Sequence, residues 1–392
     1  MSEWKKVKLG EICERVTSGG TPKANVSSYY NPPTIPWLKT KEVNYCRITE
    51  TENYISEEGL KNSSAKLISP NSVIIAMYGQ GDTAGRIAIN KIPLATNQAC
   101  CNLTIDKSKA DYEFIYYQLC TLYDKLVSLK AGAAQPNLNA RIIKNLEIIM
   151  PSLPIQHRIA TILSHYDSLI ENYQKQIKLL EEAAQRLYKE WFVDLRFPRH
   201  ENTKIVDGLP EGWEKKKLVD MADVQYGYAF DGKLFNSNSE GMPILRIRNI
   251  PDGITSDYTT EEAQDCYIVH NGDIVVGMDG IFHINSWSGG DAYLVQRACS
   301  FRPKEECMKG FIFQAIQEPI KFFEKTLVGA TVAHLGKKHI DSIELCIPKN
   351  FELYKPFSKF YNQRQGLLSQ IRLLTEARDR LLPKLMSGEI EV

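Results

Sequence analysis

Apolar positions along this chain keep two different periods, and the change from one to the other marks its organisation. Over residues 1–150 they form short runs of strand length, Pro36-Trp37-Leu38, 73–77, 87–89 and 146–150, separated by Gly, Pro, Asn and Ser. One helix interrupts them at about 111–130, where Tyr112, Ile115, Tyr116, Leu119, Tyr123 and Leu126 recur at helical spacing. Across 154–192 the period changes: Tyr166, Ile170, Tyr173, Ile177, Leu180, Ala184, Leu187 and Trp191 alternate spacings of 4 and 3, the seam of a coiled coil. Such a helix, about 37 residues at 1.5 Å each, is roughly 55 Å long. It suits a spacer better than a lid.

The pattern then repeats, with strands near 243–248, 273–278 and 343–347, a helix at about 310–327, and a last helix whose stripe is Phe360, Arg364, Leu367, Ile371, Leu374, Arg378, Leu381 and Leu385. Arg364 and Arg378 interrupt this second seam, although an arginine stem can lie along an apolar groove with its head in water. The two seams therefore either pair with each other or pack as amphipathic faces on their own domains. Residue matches show a duplication: Trp4 and Leu9 answer Trp213 and Leu218, VIIAMYG at 73–79 answers IVVGMDG at 274–280, and Gln98-Ala99-Cys100 answers Arg297-Ala298-Cys299. GAAQPNLN at 132–139 returns as GATVAHLG at 329–336, and IKLLEEAAQRL at 177–187 as IRLLTEARDRL at 371–381. A period near 200 is too long for a solenoid, whose repeats run roughly 20–50 residues. Strands that do not alternate regularly with helices predict an α+β fold with a mixed or antiparallel sheet in each half.

Composition narrows the function classes only slightly. A chain of 392 residues has room for two or three domains. Nine cysteines, an odd number with none in C-x-x-C spacing, point to reduced thiols in a cytoplasmic protein rather than a zinc site or redox pair. MSEWKKVKLGE lacks the apolar stretch of a signal peptide, and no window approaches the roughly 18 apolar residues of a membrane span. A net charge of +1 neither requires nor excludes nucleic acid, because phosphate binding depends on where Lys and Arg cluster.

Motifs that suggest catalysis lack their partners. Asn31-Pro32-Pro33-Thr34 resembles the Asn-Pro-Pro-aromatic tetrapeptide of amino-methyltransferases, but Thr34 lacks the ring that stacks on a flipped base. Gly336-Lys337-Lys338 lacks the spacing and hydroxyl of a phosphate-cradling loop. Paired acids at Glu57-Glu58, Glu181-Glu182 and Glu261-Glu262 lie in polar surroundings, which suits solvated faces. His157, His165, His283, His334 and His339 keep no metal-ligand spacing. No catalytic residue and no metal site is expected.

WKKVKLGEICERVTSGGTP with IPWLKTKEV, LPEGWEKKKL at 209–218, GAAQPNLNARIIKNLEIIMPSLPIQHRIATIL, WFVDLRFPR, and LLPKLMSGEIEV at 381–392 together resemble the specificity (S) subunit of type I restriction-modification systems. The resemblance implies two target recognition domains, at 1–152 and 213–348, with helical regions at 153–197 and 349–392 and a linker at 198–212. It implies a pseudo-two-fold arrangement in which the two long helices pack as an antiparallel coiled coil. It further implies partners: double-stranded DNA read as two half-sites, two methyltransferase (M) subunits on the helices and adjoining domain edges, and restriction (R) subunits. S-adenosylmethionine, ATP and Mg would be used by those other subunits, and this chain would bind no cofactor. The copies diverge at Gln135-Pro136-Asn137 against Val332-Ala333-His334, which predicts an asymmetric target.

Reading bases requires Arg, Lys, Asn or Gln at groove edges. Candidates near strand ends and turns are Lys39, Lys41, Gln80, Arg86, Asn97 and Gln98 in the first half, and Arg246, Arg248, Asn249, His283 and Arg297 in the second. Trp37 is expected in a core, whereas Trp287 suits either a core or a sugar contact. Tyr188, Trp191 and Phe192 suit either a partner surface or internal packing. The rival readings are a stand-alone DNA methyltransferase or nuclease, and a coiled-coil scaffold that never touches DNA.

Overall fold

Two apolar runs, VIIA at Val73–Ala76 and IVVG at Ile274–Gly277, become wholly buried strands at the centre of a sheet in each half of the computed structural model. The structure describes residues 4–130, 137–327 and 333–392. Gln135, Pro136 and Val332 of the divergent motif lie outside the described residues. The chain divides into two compact units, Met1–Ser168 with Leu374–Val392, and Leu169–Leu373.

In the first unit one sheet runs in the order Cys13–Ser18, Cys100–Ile105, Val73–Ala76, Ile87–Asn90, Cys46–Ile48. It is antiparallel except at its last pair, where Cys46–Ile48 runs parallel to Ile87–Asn90. A second sheet runs Tyr54–Ile55, Ile35–Leu38, Leu94–Thr96, Leu67–Ile68, with its central pair parallel. Strand alternation sends Val73, Ile75, Ile87, Ile89 and Leu103 to one core and Ile74, Ala76, Ala88 and Cys100 to another. Burial on both faces explains why these strands read as continuous apolar runs.

The second unit repeats the plan. Ala222–Tyr226, Ala298–Pro303, Ile274–Gly277 and Ile284–Ser286 form an antiparallel sheet, and Met242–Leu245 again lies parallel to Ala292–Leu294 in the other. The mixed sheets match the expected α+β class. Several strands escaped the sequence reading, notably Cys13–Ser18 and Cys100–Ile105 with their counterparts. Gly19 and Gly227 end the first sheet strand of each unit where any Cβ would collide with a carbonyl, of Thr96 and Val295 respectively.

Both expected short helices are broken in two. The first becomes Tyr112–Cys120 and Tyr123–Ser128, with the Thr121 hydroxyl bonding back to the Gln118 carbonyl. The second becomes Lys309–Ala315 and Gln317–Thr326. Pro319 accounts for that break, because it has no N–H and its ring opposes the carbonyl four residues earlier. The expected linker is not wholly irregular: Ile205–Val206 pairs with Leu209–Pro210 around Asp207-Gly208, whose φ values of 50° and 79° suit a tight hairpin turn.

Two long helices, Leu153–Tyr188 and Lys355–Ser387, carry the seams, except that Trp191 falls in a wider π-helical turn at Lys189–Val193, and every seam position is buried or half-buried. In the first unit Ile159 and Leu163 share a core with Leu381 and Leu385, and in the second Leu187 and Tyr188 share one with Phe357 and Tyr361. The start of each helix thus meets the end of the other, which is antiparallel packing. Tyr188, Trp191 and Phe192 pack internally: Phe192 lies 4.7 Å from Phe311 and 5.5 Å from Phe357, ring to ring. Trp37 and Trp287 are both core residues, Trp287 fully buried. All nine cysteines are free thiols.

Candidate nucleic-acid interface

The candidate readers converge because the same three connections meet at one end of the sheets in each unit. In the first, a short turn at Thr40–Glu42 follows Ile35–Leu38, and the Lys39 amide donates to the Glu42 carboxylate at 3.0 Å. In the second, Ile247–Asn249 follows Met242–Leu245, and the Arg246 amide donates to Asn249 Oδ1 at 2.9 Å. Lys39 therefore matches Arg246, and Lys41 matches Arg248. Asn249 is committed to closing its turn.

Backbone hydrogen bonds tie the other two connections to this turn. In the first unit Asn97 N–H donates to the Leu38 carbonyl at 2.9 Å, Met77 N–H to Ala99 at 2.7 Å, and Ala76 N–H to Arg86 at 2.9 Å. Lys39, Asn97, Gln98 and Arg86 are thus stitched side by side. In the second unit Val295 N–H donates to Leu245, Met278 N–H to Arg297 and Gly277 N–H to His283. Arg86 consequently matches His283, whereas the sequence match of Gln98 to Arg297 is one residue out of register: the ladder sets Gln98 against Gln296 and Ala99 against Arg297. Arg246, Arg248, His283 and Arg297 line one cleft of about 470 Å³ together with Phe230, Phe235 and Gln296. Gln80 is exposed on the hairpin loop, where its carbonyl accepts from Thr83 at 2.7 Å and its counterpart is the exposed Ile281.

Most of these cations rest against a local partner. Arg86 donates to Asp82 at 2.6 Å and to Asn44 at 3.0 Å, and this hydrogen bond holds the Asp82 carboxyl below the usual carboxylate range. Lys41 pairs with Glu52, whose hydrogen bond raises the lysine's pKa. Arg248 grips Asp257 with two nitrogens, at 2.5 and 3.1 Å. Arg297, held at φ 70°, lies 3.2 Å from Asp279, which also meets His334 at 2.5 Å. Lys39 donates to Asn53 at 2.9 Å and lies 5.1 Å from the centre of the Trp37 ring. Arg246 differs in stacking its guanidinium 5.3 Å from the centre of Phe235. Exposed ion pairs of this kind contribute about 0–1 kcal/mol, so a phosphate or base edge can displace them at little cost. The Thr21 hydroxyl donates to the Gln98 side chain. Burial pushes the neighbouring Tyr45 hydroxyl up to about 12.

The sequence reading missed Gln296 and the Phe230–Phe235 wall of the cleft. For Gln296 the signal was hidden, since the ladder sets it against Gln98 while the sequence match had set Arg297 there. The aromatic wall left no such trace, because its loop has no close match in the first half.

A second surface lies on the long helices. Leu180, Gly366 and Leu367 floor a groove of about 530 Å³ in the second unit, with the exposed Leu179 on its rim. No helix among the described residues is long and apolar enough to cross a membrane, and no cluster of three His, Cys, Asp or Glu among them is arranged to hold a metal.

A family model described as the type I restriction modification DNA specificity domain matches residues 1–182 and again 210–372. The MjaIX type I restriction enzyme specificity subunit of Methanocaldococcus jannaschii is 28% identical over 426 residues, covering 100% of this chain and 94% of that protein. The EcoBI specificity subunit of Escherichia coli is 30% identical over 141 residues, 36% of this chain and 30% of its own. Among solved structures, the S subunit of a type I restriction-modification system from M. genitalium gives a TM-score of 0.61 at 17% identity, covering 98% of this chain and 96% of that one. That is a likeness of fold.

Proposed function

Because the chain belongs to the family of type I restriction-modification specificity subunits, the non-catalytic parts that carry DNA specificity, we propose that it reads a bipartite, asymmetric duplex site, one half-site per unit. The observation that carries this reading is the placing of unlike side chains at like positions: Lys39 and Arg246, Lys41 and Arg248, Arg86 and His283, Ala99 and Arg297. Bidentate arginine favours guanine in the major groove, and arginine stands at different places in the two sets, so they ask for different bases. In this reading 1–152 and 213–348 are the recognition domains, 153–197 and 349–392 the helical regions, and 198–212 the linker. Lys39, Lys41, Gln80, Arg86, Asn97 and Gln98 contact one half-site, and Arg246, Arg248, Asn249, His283 and Arg297 the other. Asn249 does so through its turn.

Two methyltransferase subunits dock along the long helices, where the Leu179–Leu367 groove offers an apolar seat, and restriction subunits join them. S-adenosylmethionine, ATP and Mg are the business of those partners. Half-sites one DNA turn apart lie roughly 34 Å from each other, and rigid helices suit a ruler of that scale.

A gel-shift selection on randomised bipartite duplexes, with the methyltransferase subunit present, tests the reading. An enriched two-part motif is expected; no sequence preference at any salt concentration would favour a scaffold, and methylation by the chain alone would favour a self-contained enzyme. Arg246→Ala should relax one base position at a cost of about 1–3 kcal/mol. Inserting four residues near Gln174, about one helical turn, should change the tolerated gap or abolish binding. An unaltered gap removes the ruler role.

A further inference from the structure

The two arginines that interrupt the second seam have an explanation that packing alone does not supply. Arg364 is 8% exposed. It donates to Glu181 of the first long helix at 2.6 Å, to Asn285 Oδ1 at 2.7 Å and to the Ser286 hydroxyl, with its face 5.4 Å from the centre of Phe313. Glu181, expected on a solvated face, is thus an ion-pair partner. Because Asn285 Oδ1 accepts from the guanidinium, its nitrogen must point the other way, where it donates to the carbonyls of Ile250 at 2.8 Å and Pro251 at 2.9 Å. Those carbonyls directly follow the turn that carries Arg246 and Arg248.

The first unit builds a matching chain from different residues. Arg378 donates to Asp167 of the first long helix at 2.7 Å. The other Asp167 oxygen accepts from Tyr117 at 2.5 Å and faces Arg47 at 3.1 Å. The Arg47 side chain is 6% exposed and sits on Cys46–Ile48, the strand that follows the turn carrying Lys39 and Lys41. Only the last helix brings these arginines, since the matching seam positions in the first helix are Ile170 and Ala184. Replacing a buried ion pair with well-packed apolar groups is often neutral or stabilising, so stability does not by itself call for arginine at either place.

We propose that Arg364 and Arg378 are positioning residues for DNA readout, each coupling the two long helices to the reading turn of its own unit. The inference rests on the DNA-reading function above. Its test is the same selection, run on the full chain with the methyltransferase subunit, for Arg364→Leu and Arg378→Leu, with thermal melts alongside. Arg364→Leu should melt at a lower temperature, since it removes one partner of a pair, yet still fold cooperatively and assemble the complex while flattening base preference about tenfold, the size of one mismatch penalty, at the half-site read through Arg246. Arg378→Leu should do so at the other half-site. If Arg364→Leu fails to fold, Asn285→Ser removes the same link to the turn and should flatten the same half-site. Preferences within twofold of the parent at both half-sites, or an equal loss at both, overturn the proposal. A parent chain with no preference at all overturns instead the DNA-reading function on which it stands.

Discussion

Asn90 and Trp287 occupy one place in the two units. Asn90 exchanges backbone hydrogen bonds with Asn71 and Ser72, and Trp287 does the same with Gly272 and Asp273. Both are fully buried. The Asn90 amide accepts from Ser72 N–H and donates to the carbonyls of Ser69 and Ile92, all at 2.9 Å, clamping a loop. Trp287 fills the equivalent space with an indole packed among Leu245, Val275 and Ala292 and turns its N–H to the Gly290 carbonyl. The strand ladder sets the register, and within that register the duplicated fold accepts opposite chemistries, a polar clamp or an apolar plug. The edge of the sheet diverges further. Cys46–Ile48 adds a fifth strand in the first unit, and that strand carries Arg47, the centre of a buried ionic group with Glu113 and Asp167.

The comparison is broken most forcefully at Arg47. Arg47→Ala leaves Glu113 and Asp167 buried with less compensation, and should destabilise the first unit by about 3–5 kcal/mol. Hydrogen exchange resolved by peptide is expected to show faster opening in the first unit than in the second; equal acceleration in both would mean that they unfold together. Trp287→Ala, a large cavity, should cost the second unit about 3–5 kcal/mol in denaturant unfolding. Asn90→Ala should cost less, about 1–3 kcal/mol, from backbone groups left without partners. A smaller Trp287 effect than Asn90 effect would reverse the picture of plug and clamp. Acid provides the gentlest probe. Burial alone would raise the Glu113 carboxyl, but Arg47 and Lys91 overcome it and hold its pKa below the ordinary glutamate value of 4.5. A depressed carboxylate contributes stability that is complete above its unfolded pKa and is lost as pH falls through the folded one. The first unit should therefore lose stability as pH drops below 4.5, and Glu113→Gln should blunt that loss in acid melts.

Much of this was legible in the sequence. VIIAM and IVVGM announce buried strands, the spacings of 4 and 3 announce the long helices, and the offset matches pair Arg86 with His283 only once the strand register is known. Cys100–Ile105 went unread because a central strand containing Cys, Asn and Thr has no clean alternation, although its buried Asn102 simply donates to Thr96 at 2.8 Å. The polar chains behind the reading turns were less accessible still. Arg378 and Asp167 lie 211 positions apart, and a seam arginine seen alone resembles a flaw in a zipper.

The first unit is assembled from Met1–Ser168 and Leu374–Val392, whereas the second is continuous. Trp4 and Ile159 lie in one core with Leu385 and Ile390, and Gly388 closes the last helix at φ 75°, beside the Trp4 indole. During synthesis the domain that begins first must therefore be completed last. The stretch Leu374–Val392, made after the whole of the second unit, belongs to the unit that the opening of the chain begins.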